Sequence, residues 1–356
     1  MFLELSSICS HYTNDYRGIS EAMLCDNCVD TYHDCILNGS SFDYSVAYSK
    51  CKSKRPREWF KKVVLSIDTS VYANQCLLYS WPNSSYLVGS SLNWSPRKCP
   101  SEHPTNKSSY SQSNDIFDSI NEGIILQSRG FNVYGHWLLD YLPRLLIIKE
   151  YCNACPDLPI IVRNIPVWAK DFMLRLGITN PILSVPAGGE LRVKLLHIPL
   201  IMKEGFAYYE PMLAKSFFTI RRLFNLSDVY KITNFPEKIF LARRKRPYAL
   251  NQDEAIDFYS KYGFQCVYPE SLSLDDQIAM YSTCRAFIGE DSSAMHNIGF
   301  AINSSSLIFS RMNRINLWHA AVASATGQFI RPIQSLIHSN DGKYSIPLNG
   351  DYLNGF

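Results

Sequence analysis

The stretch FNVYGHWLLDYLPRLLIIKEY, residues 131–151, sets a histidine, an aspartate and an arginine among side chains that are otherwise almost wholly apolar or aromatic. An α-helix turns about 100° per residue, so His136 and Asp140 at i, i+4 lie one above the other and Arg144 follows one turn on. The three types suit proton transfer. An imidazole titrates near neutrality, and a carboxylate either takes the proton itself or orients and charge-stabilises the imidazole. A guanidinium can anchor that carboxylate or reach a phosphate. The same spacing equally suits an ordinary Asp140–Arg144 pair beside a hydrogen-bonded core histidine. Pro143 has no backbone N–H, so the helix should kink there or begin again just after Leu142.

Two other short runs carry chemistry. RRKRPYALNQ holds four consecutive cations, Arg243, Arg244, Lys245 and Arg246, directly after the apolar KIFLA. EDSSAMHN, with Glu290, Asp291, Ser292 and Ser293, follows AFIG and reads as a small-residue turn opening a helix. Arginines at a strand end, together with a helix N-terminus, suit a diphosphate. Glu270, directly after a strand in YPES, is placed either to accept from a ribose hydroxyl or to cap a helix. Neither G-x-x-x-x-G-K-S/T nor G-x-G-x-x-G occurs, which argues against a P-loop ATPase and a dinucleotide enzyme.

The elements that must position these residues follow from hydrophobic periodicity. KVVLSI (62–67), EGIILQS (122–128) and LPIIVRN (158–164) read as strands, with the helix of residues 131–151 between the last two. After VPAGGE a second series runs VKLLHIPL, a helix over PMLAKSFFTIRRLF, KIFLAR, a helix from about Asp253 to Tyr262, FQCVYP, a helix in SLDDQIAMYSTC, AFIG, a helix near 294–301, and SLIF. Such alternation implies a parallel sheet with helices on both faces, whose ligands bind at the carboxyl ends of the strands. Asn251 is placed to cap the helix holding Asp253 and Glu254, and Ser273 with Asp276 forms a capping-box-like pair. Residues 1–60 show no sustained period, and 80–114, rich in Ser, Asn and Pro, read as a loop or insertion.

A chain of 356 residues with 46% hydrophobic and 19% charged residues can bury an ample core, and its length suggests two domains. A net charge of +3 argues against nucleic acid as the main partner, and no apolar run is long enough to span a bilayer. The start lacks a basic region followed by a continuous apolar one, so a cytoplasmic location is expected. N-x-S/T triplets at Asn38 and Asn93 are compatible with a lumenal one. Seven of the eleven cysteines fall in the first hundred residues. A zinc knot there would want a second well-spaced pair, so reduced, partly buried thiols are expected instead.

Three segments, in order, resemble glycosyltransferase family 61: GHWLLDYLPRL, RRKRPYALNQDE, and YPESLSLDDQIAMYSTCRAFIGEDSSAMHNIGF. The resemblance covers about residues 120–335 and reaches a group that includes EGF-domain and dystroglycan N-acetylglucosaminyltransferases, plant xylan transferases and bacterial polysaccharide enzymes. It implies a GT-B-like α/β architecture: two Rossmann-like doubly wound halves facing a cleft, the nucleotide-sugar donor held mainly by the C-terminal half, and inversion at the anomeric carbon. Many members have His-Gly-Ala where this chain has Asp291-Ser292-Ser293, so a donor-site histidine does not carry over there, and His296 is expected to compensate in part. The resemblance also brings Asn251 and Asn297 to the donor side.

The resulting expectation is an N-terminal extension (1–60), an acceptor-side half (61–187), a donor-side half (188–335) and a C-terminal tail (336–356). The enzyme would move a hexosyl, N-acetylhexosaminyl or pentosyl group from a nucleoside diphosphate sugar, a UDP-sugar by preference, to a glycan or glycolipid hydroxyl in surface-polysaccharide assembly. His136 or Asp140 would be the base, from the N-terminal half, supported by Arg144, with Glu290 or Asp291 next in line. Arg243, Arg246, Asn251, Glu270, Ser292, Ser293, His296 and Asn297 would hold the donor. No metal or cofactor is expected, since no Asp-x-Asp follows a strand and the cations can do that charge work. A polysaccharide pyruvyl or phosphosugar transferase, or a silent glycan-binding protein, are the alternatives. Contact with a membrane would be peripheral.

Overall fold

The computed structural model describes residues 64–73, 78–82, 116–127, 130–152, 156–185, 190–199, 203–204, 207–208, 210–224, 235–244, 249–310, 317–337 and 343–355. The N-terminal extension, its cysteines, Lys245 and Arg246 lie outside the described residues. The chain divides into two compact units. The first includes Arg57–Val133 and Pro143–Met202, the second Tyr134–Leu142 and Lys203–Phe356.

The first unit is built on β1 (Val64–Ala73), β2 (Leu78–Pro82), β3 (Ile116–Ile125), β4 (Ile160–Val162), β5 (Ile182–Ser184) and β6 (Glu190–Pro199), in the order β2-β1-β6-β3-β4-β5. Strands β6, β3, β4 and β5 run parallel, while β1 is antiparallel to both β2 and β6. Helices α1 (Leu142–Cys152) and α2 (Val167–Arg175) make the crossovers from β3 to β4 and from β4 to β5. The wholly apolar β4 is buried at every position, as a strand covered on both faces must be.

Two expectations change here. The sheet is mixed α/β with a parallel part rather than wholly doubly wound, because β1 and β2 join it antiparallel. And β6, read above as opening the second series, lies in the first sheet between β1 and β3. Its alternation of buried Leu191 and Val193 with exposed Arg192 and Lys194 marks a strand, but alternation alone does not say which sheet completes it.

The second unit carries the parallel sheet β7 (Lys238–Leu241), β8 (Gln265–Val267), β9 (Ala286–Glu290), β10 (Ser305–Ser310) and β11 (Phe329–Gln334), ordered β8-β7-β9-β10-β11. Its helices are α3 (Glu210–Leu223), α4 (Gln252–Ser260), α5 (Leu274–Thr283) and α6 (Leu317–Thr326), with a 3₁₀ helix at Ser293–Phe300 where an α-helix was expected. Ser273 caps α5, its hydroxyl accepting from the Asp276 N–H at 3.0 Å and donating to the Asp276 carboxylate at 2.7 Å. On one face Phe240, Ile288, Leu307 and Phe309 pack with Ala255 and Tyr259 of α4 and with Tyr344 and Ile346 from the C-terminal segment. The chain leaves β7 to one side, forms β8, and returns past it to β9. Strand order therefore reverses between β7 and β9, the place in such sheets where a crevice opens at the carboxyl edge.

Candidate active site

The helical run begins with Tyr134–His136, widens to a π-turn at Trp137–Tyr141 and continues as α1. The Leu142 N–H bonds the Trp137 carbonyl five residues back. Pro143 explains the change of register: without an N–H it cannot bond the Leu139 carbonyl, so the ladder shifts by one residue just before it. The expected break after Leu142 is thus a π-turn followed by a fresh α-helical segment. Unlike the expectation that placed them in the N-terminal half, His136 and Asp140 belong to the second unit.

His136 Nδ1 lies 2.7 Å from Asp140 Oδ2, with the imidazole 25% and the carboxylate 2% exposed. An ionised carboxylate can only accept, so Nδ1 carries the proton, and in the neutral imidazole Nε2 keeps its lone pair. Gly135 allows a close approach to the 3₁₀ helix: a Cβ there would sit 2.7 Å from Ser293 Oγ and 2.8 Å from His296 Cδ2. Tyr134 donates its hydroxyl to Asn297 Oδ1 at 2.8 Å, and its burial raises the phenol's pKa, an effect the bond to Asn297 partly offsets. Both contacts fix the turn that presents His136.

Around it stands an aromatic and imidazole cluster. The Trp318 ring meets His136 edge-on at 5.4 Å and His296 at 6.3 Å, and the His296 and His319 rings lie 4.6 Å apart. His319, fully buried, bonds Asp291 Oδ1 through Nε2 at 2.8 Å, a second imidazole–carboxylate pair at the end of β9. Burial holds the His296 pKa well below the usual imidazole value. The neighbouring His319 adds to this, the Asp291 carboxylate opposes it, and His136 lowers it further. His296 is buried, and these surroundings favour its neutral form. Sequence reasoning missed Trp318 and His319. The signal was the rarity of histidine, since three of the chain's eight meet in this cluster.

At the carboxyl end of β7, Gln252 grips the Arg243 backbone from both sides: the Arg243 N–H donates to Oε1 at 2.8 Å, and Nε2 donates to the Arg243 carbonyl at 3.0 Å. The Arg243 side chain, 25% exposed, brings Nη1 within 3.8 Å of Glu290 Oε2. Arg244 is exposed, and its guanidinium lies over the Tyr268 ring at 5.0 Å. Glu270 accepts from the Arg244 N–H at 2.5 Å, so it holds the arginine loop rather than capping a helix. Together Arg243, Arg244, Leu250, Gln252, Asp253 and Tyr268 line an open cleft of about 400 Å³.

Two candidates have their groups committed to structure. Asn251 sits at the N-cap of α4, but its side chain makes no cap bond. It pairs instead with both backbone groups of Ile346, donating at 2.9 Å and accepting at 2.8 Å. Glu290, 2% exposed, accepts from the Ala249 N–H at 3.0 Å on one oxygen and from the Tyr344 hydroxyl on the other. Both of its oxygens are thus engaged within the protein. Ser292 caps the 3₁₀ helix by position only. Arg144 lies in the first unit, where Nε, Nη1 and Nη2 donate to the carbonyls of Pro199, Leu126 and Ile125 at 2.8, 2.6 and 3.1 Å.

The second unit thus defines a Rossmann-like α/β protein with arginines and imidazole–carboxylate pairs at the carboxyl edge of a parallel sheet, an arrangement suited to anionic ligands and proton transfer. Residues 134–308, a little under half of the chain, match the family model Glycosyltransferase 61, and that region is similar to the family. That similarity supports glycosyltransferase activity in general, on a sugar donor and an acceptor. No curated protein gives a significant match to the sequence. Among the described residues, no helix is long and apolar enough to cross a membrane, and no group of three or more His, Cys, Asp or Glu side chains is arranged to hold a metal ion.

Proposed function

We propose that the protein is an inverting glycosyltransferase that moves a sugar from a nucleoside diphosphate sugar, with UDP-sugars the first to test, to a hydroxyl of a growing glycan in surface-polysaccharide assembly at the cytoplasmic face of a membrane. The observation that carries this reading is the His136–Asp140 pair, a buried carboxylate holding one nitrogen of an imidazole that is still partly exposed. His136 Nε2 takes the proton as the acceptor oxygen forms its bond to the anomeric carbon. The bond from that carbon to the diphosphate oxygen breaks on the opposite face, and the diphosphate leaves with the electron pair. Asp140 fixes the tautomer and stabilises the imidazolium. Arg243, at the reversal point of the sheet beside an open cleft, offsets the charge that develops on the diphosphate. That is charge a divalent metal would otherwise offset, so turnover proceeds without one.

Thermal-shift screening against nucleoside diphosphates and their sugars finds the donor, since a ligand of the folded state raises its melting temperature. Incubation with the selected nucleotide sugar should then release the nucleoside diphosphate, with EDTA present throughout. Binding without release would favour a silent glycan-binding protein. Release of a nucleoside monophosphate would favour a phosphosugar transferase, and transfer from phosphoenolpyruvate a pyruvyl transferase. Activity lost in EDTA and restored by manganese would overturn the arginine account.

A further inference from the structure

The C-terminal segment, residues 343–355, lies beyond the family-matched region and carries none of the motifs read from the sequence. It is nonetheless tied to the end of the arginine loop and to α4 through Tyr344, Ile346 and Pro347. The Tyr344 carbonyl accepts from the Leu250 N–H at 2.9 Å, Ile346 is held at both backbone groups by Asn251, and the Pro347 carbonyl accepts from the Tyr259 hydroxyl at 2.8 Å. Tyr344 is 3% exposed, and its hydroxyl donates to Glu290 Oε2, the same oxygen that faces Arg243 Nη1. Arg243 Nη1 is buried and has no hydrogen-bond partner within the protein, so Glu290 is the charge that faces it there.

We infer that Tyr344 is a positioning residue for the donor site: by fixing the buried Glu290 carboxylate, it sets the place of Arg243 and hence affinity for the diphosphate of the donor. This rests on the reading of Arg243 as a diphosphate ligand. The geometry separates the two functions of the carboxylate. One oxygen takes the Ala249 N–H and closes the loop, while the other is shared between the tail hydroxyl and the arginine. Without the tyrosine hydroxyl that second oxygen is free to turn toward the guanidinium, and it draws Arg243 away from the cleft into a closer ion pair.

Calorimetry with inorganic pyrophosphate, which carries the diphosphate charge of any donor, tests this on the full chain. Tyr344→Phe should weaken binding about tenfold in the wild-type background and change it less than about twofold in an Arg243→Ala background. In turnover it should raise the donor KM while kcat stays within about twofold. A silent Tyr344→Phe beside an affected Arg243→Ala overturns the tail inference alone. A silent Arg243→Ala overturns the diphosphate reading beneath it. Equal losses in both backgrounds would make Tyr344 a general packing residue and overturn the inference too. Should Tyr344→Phe fail to fold, Glu290→Gln carries the same cycle: an Arg243-dependent loss of affinity supports the coupling, and its absence overturns it.

Discussion

Buried polar groups are treated differently in the two units. In the first, Arg144 donates from all three guanidinium nitrogens to backbone carbonyls, Asn180 donates to Pro156 and Leu158, and Gln127 accepts from the Arg163 N–H. Among the described residues, the buried side-chain nitrogens and oxygens without a hydrogen-bond partner all lie in the second unit, and Arg243, His296 and His319 of the proposed site are among them. Unmade hydrogen bonds in a dry interior are costly, and a fold retains them where the same groups serve something else. The contrast separates polar groups that hold a sheet together from polar groups available for chemistry.

The sharpest way to break that contrast is to remove the imidazole. His136→Ala should lower kcat by about 10³-fold, since a positioned general base contributes roughly 10²–10⁴-fold, while melting temperature and donor affinity stay near wild type. If kcat falls only a few-fold and the melting temperature drops instead, the pair is a core network like those of the first unit.

Arg144 should behave in the opposite way. Replacing it with Met removes three buried donors and leaves the carbonyls of Ile125, Leu126 and Pro199 without them, at a cost of about 3 kcal/mol. Chemical denaturation measures that loss, and the kcat of the folded fraction should change less than about twofold. A variant of wild-type stability with lost turnover would place Arg144 in the chemistry after all.

This opposition also shows how much the sequence carries. The stripe His136, Asp140, Arg144 was legible as three polar groups in an apolar run, but spacing could not show that the chain passes from one unit to the other between Leu142 and Pro143. The alternation of the second unit was read from α3 to β10, because local periodicity determines it, while α6 and β11 were not read. The place of β6 was misread, because pairing with β1 and β3 is a long-range choice that a strand's own pattern does not encode. Trp318, His319 and Tyr344 were overlooked for the same reason: their partners His136, Asp291 and Glu290 are distant in sequence. Arg243 was found from its position after a strand, though nothing in the run RRKR shows that Glu290 faces it.

Within the second unit, Arg243 and Arg244 test whether a partly buried cation matters more than an exposed one. Arg243→Ala should weaken nucleoside diphosphate binding by about 2 kcal/mol, the worth of a charge-assisted bond to phosphate. Arg244→Ala, which loses an exposed contact over Tyr268, should cost less than about 1 kcal/mol. Equal effects in calorimetry would mean that the loop acts as diffuse charge and not through one placed guanidinium.

The smallest expected effect concerns His296, the buried ring whose Nδ1 has no hydrogen-bond partner. Burial and the neighbouring His319 hold its pKa well below the ordinary imidazole value. The unfolded chain therefore binds a proton near pH 6.5 that the folded protein refuses, and stability must fall as pH drops below about 6.5. The slope from one such group is at most about 1.4 kcal/mol per pH unit, and it ends once the folded ring is itself protonated. Other groups titrate in the same range, so the informative quantity is the difference between wild type and His296→Gln, measured by urea unfolding from pH 8 to pH 5. That difference should be constant above about pH 7 and shrink as the pH falls below about 6.5, because only the wild type loses the contribution of a neutral buried ring. Parallel curves would mean that the folded ring takes up its proton as readily as a solvated one. The second unit would then not have withheld His296 from water, and the contrast with the saturated polar groups of the first would lose one of its three supports.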